Sequence, residues 1–142
     1  MIGIGFTERL LGGFHAPLGL APDRSLALEL TARPERHSPS SGWVVSGSLR
    51  ADGLTRNAAL KGSIQRASPR LLYELELEVG TRKLTILGEK TLLLRDIYAS
   101  LSMFRGRLLE SGETIATIHA RVDLRSEWRF CLKNLRLSFA LA

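Results

Sequence analysis

Leu71-Leu72-Tyr73-Glu74-Leu75-Glu76-Leu77-Glu78-Val79 decides the architecture. Successive side chains of an extended chain point to opposite faces. Tyr73, Leu75, Leu77 and Val79 therefore make one face, and Glu74, Glu76 and Glu78 the other. One dry face and one wet face is the antiparallel pattern. Gly80-Thr81-Arg82-Lys83 follows as a short turn, and Leu84, Ile86 and Gly88 open the next strand.

The same period of two runs outward in both directions. Leu26, Leu28 and Leu30 alternate with Ala27, Glu29 and Thr31, and Trp43, Val45, Gly47 and Leu49 repeat the rhythm. Strand-like runs at 58–66, 97–104, 113–122 and 135–141, with an N-terminal run near 3–10, bring the total to about nine. Ser126 breaks the rhythm. After it, Glu127, Trp128, Cys131, Leu132 and Leu135 take helical spacing, with Ser126 placed as the N-cap. A short helix before the last strand is expected there. The segment 31–42 is rich in Pro, Ser and charge and reads as a loop.

The expected fold is all-β and mainly antiparallel. It is a small β-barrel or a closely related sandwich of about 8–9 strands, spanning residues 1–142 as one domain. Around eight strands enclose an interior that side chains fill or that holds one small ligand.

The 142 residues carry 20 Lys plus Arg against 14 acids, a net charge of +6, and 16 of the 20 cations are Arg. Nucleic-acid modules cluster cations and interleave stacking aromatics. Here the cations are dispersed. Residues 1–70 hold 9 against 5 acids, and 71–142 hold 11 against 9. The stretch 36–70 has six cations and one acid, but Trp43 is its only aromatic. Nucleic acid is not an expected partner. Arginines opposite Glu74, Glu76 and Glu78 on neighbouring strands would form cross-strand pairs on the wet face.

A single cysteine, Cys131, excludes an internal disulfide and a Cys-based metal site within one chain. Glu8 and Arg9 interrupt the N-terminal apolar run before signal-peptide length. No stretch approaches the roughly 20 apolar residues a spanning helix needs. A cytoplasmic location is the expectation. P-loop, nucleophile-elbow, dinucleotide and zinc signatures are lacking, and no cofactor or metal is expected.

Eight positions could carry ligand or chemistry without a motif. Glu8 alternates with Phe6 and Leu10, so on a strand it shares the dry face. A carboxylate there either holds its proton or pairs with a buried cation, which makes it a candidate acid. On a short helix Glu8 and Arg9 would instead be exposed. Lys90 ends an apolar strand and reads first as an exposed edge lysine, with an inward cation as the alternative. Tyr73 and Trp43 are core candidates whose polar atoms want partners. His119 shares a face with Thr117 and Arg121, either an outward wall or a polar lumen. Glu8, Tyr73 and His119 are thus the candidate catalytic groups. Phe6, Trp43, Tyr73, Lys90, Tyr98 and Met103 are the candidate ligand-lining groups. The inward face of 97–104 and of 113–122 is left open.

Four short motifs, taken in order, resemble a known family. They are Phe6-Thr7-Glu8-Arg9-Leu10-Leu11-Gly12, Tyr73-Glu74-Leu75-Glu76-Leu77, Leu87-Gly88-Glu89-Lys90, and Trp128-Arg129-Phe130-Cys131-Leu132 through Leu137. The resemblance is to the accessory β domain fused to cholesterol-oxidase-like glucose–methanol–choline flavoproteins and to some lipase- and patatin-like hydrolases. This chain lacks the flavin domain and carries Arg105-Gly106-Arg107 where that family has an acidic turn. The resemblance implies a stand-alone domain handling lipid-like molecules, with no catalytic residue carried over.

Three functions follow as expectations. The first is binding of a hydrophobic small molecule, sterol-, terpenoid- or polyketide-like, inside the barrel. The second is a cofactor-independent cyclase or isomerase that uses the barrel as a mould. The third is a docking subunit of an oxidoreductase or hydrolase, with a homodimer or partner enzyme as its company.

Overall fold

The computed structural model describes residues 5–15, 24–35, 42–67, 69–91 and 103–122. They form eight strands: β1 (Phe6–His15), β2 (Arg24–Pro34), β3 (Gly42–Ala51), β4 (Thr55–Ala67), β5 (Arg70–Val79), β6 (Arg82–Thr91), β7 (Met103–Glu110) and β8 (Glu113–Val122). Each strand pairs antiparallel with the next, and β8 returns to pair with β1. The architecture is therefore a closed up-and-down barrel, not a sandwich. Closure removes every exposed sheet edge.

Among the described residues there is no helix. The expected helix after Ser126 and the strand at 135–141 lie outside the described residues, as does Tyr98. The expected run 97–104 contributes β7, which begins at Met103 and continues to Glu110. The N-terminal strand, expected near 3–10, runs on through Gly12-Gly13 to His15.

Alternation sorts the walls as the β5 sequence requires. Leu71, Tyr73, Leu75 and Leu77 are buried, and Leu72, Glu74, Glu76 and Glu78 face outward. Leu10, Leu28, Ile64, Leu75 and Ile86 meet in the lumen as parts of one apolar cluster. This is the reverse of a bilayer-spanning barrel, whose outward residues are apolar. No helix among the described residues is long and apolar enough to cross a membrane. On the wet face of β5 no arginine stands directly opposite the acids: Lys61 faces Glu76 and Lys83 faces Glu78, while Glu74 lies between Ser63 and Leu87.

So narrow a barrel bends its strands tightly, and two inward-facing glycines accommodate the bend. A Cβ on Gly47 would lie 1.9 Å from the Glu29 carbonyl oxygen, and one on Gly62 equally close to that of Glu74. Backbone cannot yield as a side-chain tip can. Gly62→Ala is expected to cost about 3 kcal/mol, in the upper range for overpacking. A lower urea midpoint with an unchanged slope would show it.

Arg82 and Glu110 clamp β6 to β7 through two hydrogen bonds of 2.7 and 3.2 Å. The Arg82 hydrogen bond holds the Glu110 carboxyl below its ordinary range, and Glu110 raises Arg82. A carboxyl depressed by folding adds stability above its unfolded value, and that stability is lost as pH falls through the folded value. The pair is at the surface, so its contribution is small. An NMR titration should therefore find the Glu110 midpoint below that of a free glutamate, and Arg82→Gln should return it upward.

Candidate functional site

The two ends of the barrel differ in chemistry. At one end the hairpins are tight, as at Gly80–Thr81 and Ser111–Gly112, and the lumen holds Leu26, Ala51, Leu77, Leu84 and Leu108. At the other end lie the start of β1, the end of β6 and the start of β7. Phe6, Trp43, Tyr73 and Phe104 gather there. Phe6 meets Trp43 edge-to-face at 5.6 Å, and Tyr73 meets Phe104 likewise at 5.1 Å. Arg66 stands over the Trp43 ring at 5.4 Å.

Within this aromatic end sits a charged cluster. Glu8 follows Phe6 on the inner face of β1, and Lys90 continues the inward series Leu84, Ile86, Gly88 on β6. They are only 4% and 3% exposed. Lys90 Nζ donates to Glu8 Oε2 at 2.5 Å, and Tyr73 Oη donates to Glu8 Oε1 at 2.8 Å. The ammonium also lies 5.5 Å from the centre of the Tyr73 ring. β5 is diametrically opposite β1 in the strand order, and β6 is its neighbour. The cluster thus crosses the lumen.

Phe104 is wedged between this cluster and two glycines. A Cβ would fall 2.1 Å from its ring at Gly88 and 3.0 Å at Gly106. Any side chain at Gly88 would displace the ring that packs on Tyr73.

Among the sequence candidates, Glu8, Tyr73 and Lys90 come together, with Phe6 and Trp43 in the same end. Lys90 is not the exposed edge lysine of its first reading. Its place in the inward series of β6 prevails over its position near the strand end. His119 stands apart on the outer wall, its ring stacked on that of His15 at 5.8 Å, while His15 Nε2 lies 2.7 Å from Thr117 Oγ1. Met103 is 41% exposed and lines the outside, not the lumen. Phe104, beside it, takes the inward place. Sequence reasoning missed Phe104 because the parity of that strand was open. The outward parity of Arg105 and Arg107 would have revealed it.

Two hollows lie along the outer face of the wall. One, of about 560 Å³, lies beside Leu72, Glu74, Leu87, Arg105 and Arg107. Another, of about 760 Å³, is bounded by Lys61, Glu76, Glu78 and Lys83. No group of three or more His, Cys, Asp or Glu among the described residues could hold a metal ion.

The cluster's chemistry is unusual in one respect. An ammonium has three donors and no acceptor. Among the described residues Lys90 meets one acceptor, Glu8 Oε2, so two N–H groups are left for another oxygen. The pair has no net charge. A further anion would bury an uncompensated charge, whereas a carbonyl or hydroxyl oxygen would not.

The chain matches no protein-family model, no curated protein and no solved structure.

Breaking a buried ion pair is more costly than replacing it whole. Lys90→Met alone is expected to lose about 3–5 kcal/mol, and Glu8→Leu with Lys90→Met to recover most of it. Tyr73→Phe should lose about 1.5–3 kcal/mol, the range for a hydrogen bond to a charged group. Urea unfolding of the four proteins tests the order.

Proposed function

We propose that the barrel binds one neutral, hydrophobic small molecule, sterol-, terpenoid- or polyketide-like, with its oxygen on Lys90. The observation that carries this reading is the pair of Lys90 donors with no acceptor among the described residues, at a site 3% exposed. An apolar body suits the rings of Phe6, Trp43, Tyr73 and Phe104 around the cluster. The neutral Glu8–Lys90 pair favours a ketone or alcohol over a carboxylate. The Lys90 donors lie at the aromatic end, so the ligand belongs there. The resemblance to domains fused to cholesterol-oxidase-like enzymes points to the same ligand class, and the reading places the protein in the cytoplasm.

A second reading, a cofactor-independent cyclase or isomerase, draws on the same atoms. The Lys90 ammonium polarises the oxygen it binds, and Glu8, bonded to both Tyr73 and Lys90, sits one hydrogen bond from either proton. Turnover would then accompany binding and fall with Glu8→Gln.

Native mass spectrometry of the purified protein tests for a co-purified ligand. Titration with dehydroergosterol, a fluorescent neutral sterol, tests the ligand class through energy transfer from tryptophan. Saturable transfer at one sterol per barrel is expected. The refolded Glu8→Leu/Lys90→Met protein should bind roughly ten- to a hundredfold more weakly, the share of one hydrogen bond to a charged donor. Equal affinity in that variant would dismiss the role of Lys90. A protein that neither carries nor takes up any apolar molecule would dismiss the reading.

A further inference from the structure

The outer wall of β7, β8 and β1 forms a patch that the linear sequence hides. The register sets Met103, Arg121 and Leu11 in one row across the three strands. Arg105, His119 and Gly13 make the next row, and Arg107, Thr117 and His15 the third. None of the nine positions is acidic. Arg105, Arg107 and Arg121 are exposed and form no salt bridge among the described residues. Glu89, opposite Arg105 on the β6 side, is taken up by Arg70 at 3.4 Å. Met103 at 41% and Leu11 at 38% are exposed large apolar side chains, and Arg121 stands between them.

We propose that this wall docks on an anionic lipid surface. Charge complementarity selects the partner: three unpaired guanidiniums and two histidines face outward together, and juxtamembrane cations are drawn to acidic headgroups. The row Met103–Arg121–Leu11 adds apolar tips beside a cation, the combination that seats a peripheral protein at the headgroup boundary. Nucleic acid fits less well, because the patch holds no Phe, Tyr or Trp on which bases would stack. The proposal does not rest on the ligand reading, since no residue of the patch belongs to the lumen.

Sedimentation of the full chain with phosphatidylcholine vesicles, with and without phosphatidylserine, tests it. Binding is expected only to the phosphatidylserine vesicles, and it should fall steeply with added salt. The triple variant Arg105→Gln, Arg107→Gln and Arg121→Gln should partition roughly a hundredfold more weakly. Leu11→Ser with Met103→Ser should weaken binding at unchanged salt dependence, and Arg56→Gln on exposed β4 should leave it unaltered. Circular dichroism checks that each variant is folded, and the salt titration of the unaltered protein reads the charge term without any variant. No binding to phosphatidylserine vesicles, salt-independent binding, or a folded triple variant that binds undiminished would overturn the proposal. Tighter binding to a mixed-sequence oligonucleotide than to the vesicles would overturn it in favour of nucleic acid.

Discussion

The Glu8 carboxylate is the constraint around which the aromatic end of the barrel is arranged. It projects from β1 into an apolar lumen, where an unpaired charge is intolerable. Its two oxygens are met from the far side, one by the Tyr73 hydroxyl on β5 and one by the Lys90 ammonium on β6. Those bonds fix the distance between opposite walls. They also fix the Tyr73 ring, against which Phe104 packs, and Phe104 in turn fits only because Gly88 and Gly106 are bare. One carboxylate thus sets the composition of four strands.

Such a brace is poor evidence for stability. Apolar residues of similar volume are often as stable or more so in place of a buried ion pair. Its presence among otherwise apolar and aromatic lumen residues gives the aromatic end a polar anchor that packing alone does not need. This asymmetry between a filled aliphatic half and a charged aromatic half separates the protein from a plain side-chain-filled barrel.

Much of this was legible in period-two alternation. The β5 stretch reveals its own faces, and Glu8 between Phe6 and Leu10 announces a buried carboxylate wherever that stretch is a strand. What alternation cannot supply is which strand lies opposite which. Glu8 and Lys90 are 82 positions apart and meet only because the sheet closes on itself. Closure likewise turns scattered arginines into a patch, since Arg105, Arg107 and Arg121 become neighbours through register, not sequence. The N-terminal strand, expected to end near residue 10, continues through Gly12-Gly13, and that continuation depends on a related closure. A Cβ on Gly12 would strike the His119 carbonyl oxygen at 1.9 Å, so the residue that looks like punctuation is demanded by the β1–β8 contact.

The meander has a kinetic corollary. Seven of the eight strand pairings join sequence neighbours and cost little loop entropy, but β1 with β8 brings together residues such as His15 and Thr117, 102 positions apart. That seam is the contact most expensive in chain entropy. Until it forms, the lumen is open to water and both Glu8 and Lys90 keep their hydration. In the closed barrel both charges are shielded from that water together, since Glu8 and Lys90 are buried side by side in the lumen.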